Sequence, residues 1–506
     1  MDYVIAYDLG TGGLKASLHE ATGKIVRSAF APYETLYISS SCHEQRPDDW
    51  WNAVCAGTKK LLAQNDVSAQ SVRAVALSGH SLVGVPIDRG GNALAKTVPI
   101  WSDTRAKNEA EKLFRDISYD SWYETTGNGD PPACYPISKL QWMKNNCPDT
   151  YDKTAIFLGS KDYVNFKLTG VASTDPSYAS GSGFFNLKKW RYEPEFIKAA
   201  ELDAGRQPEI VPSDAPIGKV TREASLATGL AEGTLVAAGG VDNACMALGA
   251  CGIGEGHAYT SLGSCCWIAV TSTMPIIDHA LRPYIFAHLQ KGYYTSGMSI
   301  FAGGSAHRWV RDQLFPDFAG ESFDLLSALA QTSPAGSNGV MFNPSLSGGS
   351  SQEKSPNIRG ALFGLSLSTT RADIIRATME GIALNLRVLL DAFRKFVAIS
   401  DDMLLVGGGA KSAFWRQIFA DVFSVRIIKS NIDQEAASLG AAALALKCAG
   451  FWTDFSAVAP LHNIESIENP VPQNAAIYKR LLPIFEKSAA DLANLGDQMA
   501  RAYAIP

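Results

Sequence analysis

Two carboxylates stand where this chain could do chemistry. Asp242 ends the run Gly239-Gly240-Val241-Asp242-Asn243, after an apolar stretch over residues 234–238 that reads as a buried strand. An aspartate at a strand end, beside two glycines, can lie where a ligand approaches the backbone closely. It can orient a hydroxyl about 2.6–3.2 Å away and take its proton. An aspartate of ordinary pKa, near ~4, is already ionised for that task at neutral pH. The plainer alternative is that Asp242 caps the helix-like run through Met246 and Leu248. Asp8 closes a strand over residues 3–7 and opens the turn Asp8-Leu9-Gly10-Thr11-Gly12-Gly13, after which residues 14–18 return as a second strand. The tip of such a hairpin is rich in backbone N–H groups that can cradle phosphate oxygens. Asp8 can hold magnesium through water, because that ion keeps much of its hydration shell. The alternative is an ordinary turn in which Asp8 bonds its own backbone.

Other candidates sit at other strand ends. A strand over residues 72–77 runs into His80, Ser81 and Leu82, and Trp101 is followed by Asp103 and Arg105. Polar groups at strand ends beside an indole can line a small polar pocket. Equally, His80 can be a hydrogen-bonded buried histidine, and Asp103 with Arg105 a structural ion pair. Gly407-Gly408-Gly409-Ala410 follows a strand over residues 402–406. It leaves room for a flat group such as adenine, or else makes a tight strand-to-helix link.

These groups need a scaffold, and the chain has length for one. Its 506 residues predict two or more domains, with 46% apolar and 19% charged residues as in an ordinary globular enzyme. A net charge of −5 excludes a nucleic-acid or anionic-membrane footprint. The opening residues lack the basic segment and apolar core of a signal peptide. No charge-free apolar run reaches the ~18 residues of a membrane span. The nine cysteines contain no Cys-x-x-Cys and predict reduced thiols, so a cytoplasmic location is expected. Adjacent Cys265 and Cys266 should point to opposite faces of a strand. Residues 257–262, Gly263-Ser264 and residues 265–270 repeat the opening hairpin, which predicts an internal duplication. Asp48 or Asp49 is expected to cap a helix carrying Trp50, Trp51, Val54 and Leu61. Thr370 with Asp373 reads as a capping box before a core helix. Residues 435–442 read as a small-residue helix, and residues 345–355, with many Gly and Ser, as a loop. The Gly-x-x-x-x-Gly-Lys phosphate loop, the protein-kinase signature set and a strand-first Gly-x-Gly-x-x-Gly are all missing.

Taken in order, the segments resemble the FGGY family of carbohydrate kinases over nearly the whole chain. The matching pieces are Asp8-Leu9-Gly10-Thr11, Trp50-Trp51, Trp101-Ser102-Asp103-Thr104-Arg105, Lys161-Asp162-Tyr163 with Leu168-Thr169-Gly170, and Gly239-Gly240-Val241-Asp242-Asn243. They continue with Ser261-Leu262-Gly263-Ser264 and Gly407-Gly408-Gly409-Ala410-Lys411-Ser412. Gly360-Ala361-Leu362-Phe363-Gly364-Leu365, with Asp373-Ile374 and Ala377-Thr378-Met379-Glu380, matches the C-terminal signature position by position. The N-terminal signature around Lys139-Leu140-Gln141-Trp142 matches except at Cys134.

The resemblance implies an α/β chain of two actin-like (ribonuclease-H-like) domains, residues 1–245 and 246–506, with an interdomain ATP/sugar cleft. It implies transfer of the γ-phosphate of ATP, with Mg2+, to a sugar hydroxyl. Asp242 would be the base and Asp8 the metal-side carboxylate. Gly10, Thr11, Gly12, Gly13, Lys15, Gly263 and Ser264 would meet phosphates, and Gly408, Gly409 and Ala410 the adenosine. His80, Ser81, Leu82, Trp101, Asp103, Asp242 and Asn243 would surround the sugar. The pattern is most similar to the xylulokinases of the family, so a ketopentose such as D-xylulose is the expected acceptor. Three departures leave ribulose, gluconate, a polyol or a signalling sugar as alternatives. Ser81-Leu82 stands where xylulokinases usually carry Met-His. Leu346-Ser347-Gly348-Gly349-Ser350 loses the charges of a common Leu-Ser-Gly-Glu-Arg. Gly12-Gly13 replaces the usual hydroxyl residues. The alternative from another class is a non-catalytic actin-like ATP-binding protein. The expected partners are a small-molecule sugar and, for assembly, a second copy in a homodimer.

Overall fold

The computed structural model describes residues 1–63, 67–250, 252–320, 322–350, 352–433 and 435–503. The described residues fall into two compact units. One lies within Met1–Ile253, Thr273–Thr295 and Glu435–Leu461, the other within Gly254–Ser272, Ser296–Gln434 and His462–Pro506. The sequence predicts a single cut between residues 245 and 246, whereas the first unit runs on through Ile253 and takes in two later segments.

The first unit is built on a sheet of β1 (Tyr3–Leu9), β2 (Gly13–Glu20), β3 (Ile25–Pro32), β4 (Val72–Gly79), β5 (Pro216–Lys219), β6 (Leu235–Ala237) and β7 (Gly240–Val241). The strand order is β5-β6-β4-β1-β2-β3, and β7 also pairs with β4. β1 runs antiparallel to β2 and parallel to β4, while β6 and β7 run parallel to β4. β1 is central, and its Val4, Ile5, Ala6, Tyr7 and Leu9 are all fully buried. That explains its near-continuous apolar sequence, the mark of a strand covered on both faces.

The strand expected over residues 234–238 forms as β6 over Leu235–Ala237, and the chain breaks after it at Gly239. Gly239 has φ +80°, and a Cβ there would lie 2.3 Å from the Leu77 carbonyl oxygen. A side chain is thus excluded by the neighbouring strand, a reason different from the ligand approach expected of these glycines. The break is a one-residue slip against β4, after which the chain continues as β7, so that Asp242 begins the helix Asp242–Gly249. This helix packs on the small-residue helix Ala436–Cys448. A Cβ on Gly249 would fall 1.8 Å from the Ala436 carbonyl oxygen, and one on Gly440 2.0 Å from that of Cys245. Such close backbone packing draws residues 435–461 into the first unit.

The helix Pro47–Leu62 corrects one expectation. Arg46 is its N-cap residue, with no side-chain bond, and Pro47 occupies the first turn. Asp48 and Asp49 lie inside that turn, where carboxylates still favour the helix dipole without capping.

The second unit repeats the plan with β8 (Ala258–Leu262), β9 (Cys266–Ser272), β10 (Asp402–Val406), β11 (Arg426–Ser430) and β12 (Ile464–Glu468), in the order β9-β8-β10-β11-β12. β8 is antiparallel to β9 and parallel to β10, β10 is parallel to β11, and β12 is antiparallel to β11. The senses match the first sheet strand for strand from its hairpin, as a duplication requires. Cys265 is exposed and Cys266 buried, and the described cysteines are all free. Thr370 and Asp373 form the expected capping box of the helix Arg371–Phe393. The described residues of 345–355 form neither helix nor strand, and Ser351 lies outside the described residues. Among the described residues, no helix is long and apolar enough to cross a membrane.

Candidate active site

Parallel pairing brings three strand ends to one edge of the first sheet. Asp8 is level with Ser78, and Gly240 is level with Ser78 on the other side. Asp242, two residues beyond Gly240, therefore emerges just past the ends of β1 and β4. The carboxyl ends of parallel strands are where open α/β sheets place ligands. Ser78 Oγ donates to Asp8 Oδ1 at 2.8 Å. Loss of water around Asp8 raises its pKa, while the Ser78 hydroxyl and the Lys15 charge pull it back. Lys15 lies directly across the hairpin from Asp8 and forms an ion pair with Glu435.

Asp242 is partly accessible. Its Oδ1 accepts the Asn243 backbone N–H at 2.8 Å and Asn243 Nδ2 at 3.0 Å. The helix N-cap residue is Val241, so Asp242 sits one position inside the helix and the simple capping alternative does not hold. Its pKa is pushed up to about 7, first by desolvation and further by the Asp8 charge, against the two Asn243 bonds. The ordinary aspartate expected from sequence is thus replaced by a carboxyl poised near neutral pH, where a general base works best.

The hairpin tip is held from below. Gly10 N–H bonds back to the Gly13 carbonyl, and the Tyr33 hydroxyl donates to the Gly10 carbonyl. Gln45 Nε2 donates to the Thr11 carbonyl at 2.7 Å, and Trp101 Nε1 to Thr11 Oγ1 at 3.0 Å. The N–H of Gly10 is therefore already engaged inside the turn. Gly13 has φ +154°, and a Cβ there would meet Phe30 and the Ala31 carbonyl, so β3 demands it. Gly12 faces open space, with no heavy atom within 4 Å of where a Cβ would stand.

The other candidates divide. His80 is 1% exposed. Its Nδ1 lies 3.1 Å from the Leu9 carbonyl, its ring packs edge-on against Trp50, and burial lowers its pKa to about 4. It is a neutral, buried histidine, as the plainer alternative holds, with Nε2 lacking a protein partner. Asp103 is fully buried, taking the His43 N–H at 2.8 Å and the Arg105 guanidinium at 2.7–3.0 Å. Arg105 also pairs with Glu44 at 2.7 Å, so the ion-pair alternative describes Asp103.

Ser81 is buried, and Leu82 has the left-handed φ of +64°. Leu82 borders a cavity of ≈ 40 Å³ with Asp162, Thr174, Tyr178 and Gly181, space for about one water rather than a sugar. Lys139, from the N-terminal signature, donates to the carbonyls of Leu82 at 3.1 Å and Ile100 at 2.5 Å. It thereby ties the His80–Leu82 segment to the one carrying Trp101 and Asp103. Burial lowers its pKa to about 8.

In the second unit, Gly407 (φ +94°) and Gly409 pack on Leu262, at the end of β8. Gly408 faces open space and Ala410 is buried. The carbonyls of Gly263 and Ser264 accept the N–H groups of Gly304, Gly303 and Ser305. Comparison with known proteins accounts for both units. The FGGY family of carbohydrate kinases, N-terminal domain, matches residues 3–249, and its C-terminal domain matches residues 258–449.

The chain belongs to the FGGY family of carbohydrate kinases.

The xylulose kinase of Bacillus subtilis (strain 168) is 30% identical over 490 residues, covering 96% of each chain. The gluconokinase of the same organism is 27% identical over 512 residues, covering 98% of each. The crystal structure of ligand-bound xylulose kinase from Lactobacillus acidophilus superposes with a TM-score of 0.91 at 26% identity, covering 99% of this chain and 100% of that one. This FGGY kinase is therefore a two-domain, actin-like ATP-dependent sugar phosphotransferase, and the family uses ATP with Mg2+.

The FGGY site fits that ion by its donor set. Among the described residues there is no group of three or more His, Cys, Asp or Glu placed to hold a metal. One or two carboxylates, with water and phosphate completing the shell, are what magnesium takes, and Asp8, with Asp242 just past the same strand ends, would supply them. Sequence reasoning passed over several polar residues of this kinase, chiefly Ser78, Asp175, Ser177 and Glu435. Asp175-Pro176 does carry a sequence signal, an N-cap residue followed by proline in the first turn.

Proposed function

We propose that this kinase phosphorylates a ketopentose such as D-xylulose, with Asp242 as the general base. The observation that supports this most is the carboxyl of Asp242, poised near pH 7 at the strand edge shared with Asp8. Asp242 would accept the proton of the attacking hydroxyl, and Asn243, bonded to it, would fix its orientation. Phosphoryl transfer asks mainly for in-line positioning and charge neutralisation, so one oriented base and a set of phosphate donors suffice. Asp8 would hold the hydrated magnesium that offsets phosphate charge. Gly10, Thr11, Gly12 and Gly13 would border the phosphates, with Lys15 adding positive charge behind them. Gly263 and Ser264 would do the same from the second hairpin, and Gly408, Gly409 and Ala410 would border the adenosine. Ser81, Leu82, Trp101 and Asn243 would frame the acceptor, with His80 and Asp103 behind them. In this reading the domains are residues 1–245 and 246–506, the enzyme is cytoplasmic, and it assembles as a homodimer.

Gluconate is the second acceptor to weigh, because Leu82 departs from the histidine usual in xylulokinases and a gluconokinase is 27% identical to this chain over 512 residues. A coupled ADP-release assay over D-xylulose, ribulose, gluconate and polyols tests both. D-xylulose should give the highest kcat/KM, and a tenfold preference for gluconate would replace the ketopentose assignment. ATP hydrolysis indifferent to every acceptor would remove the kinase mechanism as written.

A further inference from the structure

The Lys161-Asp162 pair is part of a family motif, and although Asp162 borders the small cavity beside Leu82, no role above has been assigned to the pair. Its surroundings show what it holds. Lys161, Asp162 and Asp175 are buried. Lys161 Nζ bonds Asp162 Oδ1 at 2.5 Å, Asp175 Oδ1 at 3.0 Å and the Ala238 carbonyl at 3.0 Å. Asn165 Nδ2 donates to the same carbonyl at 2.8 Å. On its other oxygen, Asp175 accepts the hydroxyls of Ser177 at 2.5 Å and Ser213 at 2.7 Å. The Ser177 hydroxyl, with its proton committed to Asp175, turns a lone pair to the Val241 N–H at 2.9 Å. The Ser213 carbonyl accepts the Gly239 N–H at 3.0 Å.

Both flanks of the Gly239-Gly240 step are thus held by one buried polar cluster centred on Asp175. The step itself has little stiffness of its own, because glycine is the most permissive residue. Asp242 follows Val241 directly. We propose that Asp175, Lys161 and Ser177 are positioning residues that set the place of the Asp242 carboxylate through the Ala238–Val241 backbone. The proposal rests on Asp242 being the base. It assigns the Lys161 motif to the geometry of proton abstraction and not to ligand contact. A misplacement of about 1 Å can cost a rate of about 10²-fold. The cluster therefore acts on kcat, while leaving ATP binding alone.

Ser177→Ala removes the acceptor of the Val241 N–H together with the hydroxyl's own bond to Asp175, and it tests the idea in the whole chain. It should lower kcat by roughly 10- to 100-fold, with KM for ATP unchanged within about twofold. In an Asp242→Asn background the same substitution should cost nothing further, a non-additivity that general loosening would not produce. Ser180→Ala is the control. Its hydroxyl is equally buried in the same segment and bonds the Ser177 carbonyl, but touches none of residues 238–241. It should leave kcat unchanged. If Ser177→Ala does not fold, Asn165→Ala, which removes one of two bonds to the Ala238 carbonyl, should show the same kcat-only loss. Wild-type kcat in Ser177→Ala, beside a crippled Asp242→Asn, overturns the positioning role and leaves the base standing. Equal losses from Ser177→Ala in both backgrounds overturn it too. Full turnover by Asp242→Asn removes the base, and the positioning role with it.

Discussion

The two glycine hairpins occupy equivalent places in the two sheets, and position-by-position comparison separates charge from shape. In the first, Leu9 pairs with Leu14 across a four-residue turn; in the second, Leu262 pairs with Cys266 across three residues. One residue before each closing pair stands Asp8 in the first and Ser261 in the second. Opposite them stand Lys15 and Trp267. On the neighbouring parallel strand, Asp8 is level with Ser78, while Ser261 is level with Val406. Every polar or ionic group of the first cluster is thus replaced in the second by a hydroxyl or an apolar side chain. The duplicated framework has kept the shape of a phosphate-sized turn twice and the charge once. In the proposed mechanism, proton and metal chemistry would belong to the first sheet's edge, and the second would contribute form.

The strongest way to break that contrast is at the first edge. Asp242→Asn should lower kcat by roughly 10²–10⁴, the usual weight of a general base, with little change in nucleotide affinity. Near-normal turnover in steady-state assays ends the assignment. Next, Asp8→Ala should weaken the magnesium dependence of the rate and cost about 10²-fold in kcat, the scale of a lost electrostatic stabiliser. Ser261→Ala, its counterpart, should change kcat less than about twofold. Equal losses at both positions would erase the distinction between the edges.

A milder perturbation is pH. With Asp242 raised to about 7, kcat/KM should fall tenfold per unit below pH 7, and the Asn variant should lose that limb. The same shift has a stability sign. A carboxyl with a raised folded pKa favours the fold at low pH, and that benefit is lost as pH rises through 7. Asp242→Asn should therefore melt about 2 °C higher than wild type at pH 8, with the gain gone near pH 4. A lower melting temperature at pH 8 contradicts the buried-charge account. The smallest effect concerns the second tip. N-ethylmaleimide should modify exposed Cys265 well before buried Cys266, and MgATP should slow it severalfold. Protection absent at saturating MgATP argues against phosphate contact by Gly263 and Ser264.

Much of this was legible in sequence. Apolar runs ending in glycine located both hairpins, β4 and β10, and the Thr370 capping box predicted where its helix starts. The Asp48 cap failed because a proline at the first helical position hides the true boundary, and nothing about Arg46 advertises an N-cap. The β6–β7 break was invisible because Gly239-Gly240 reads the same whether a ligand or a neighbouring carbonyl forbids the side chain. The raised pKa of Asp242 depends on what surrounds it, first its burial and then the charge of Asp8, some 230 residues away in sequence, and no local window contains that. The segment 435–461 joined the first unit through helix packing, which composition hints at with small residues but cannot assign to a partner. Asp175 and Ser177, the N-cap residue and first turn of a four-residue helix, carry no periodicity, and beyond the capping signal of Asp175-Pro176 their part in the site shows only once β7 is in place.

Lys139 carries a consequence for how such an enzyme changes its diet over evolutionary time. One ammonium grips the carbonyls of Leu82 and Ile100, and Leu82 is held there in a conformation that costs a non-glycine residue about 1–2 kcal/mol. The two segments cannot drift separately. Grafting Met-His at positions 81 and 82 alone would change side chains on a loop still tethered to its old neighbour. If these loops frame the acceptor as proposed, acceptor preference should be inherited as a two-loop cassette, and only an exchange of both loops together should carry it from one kinase to another.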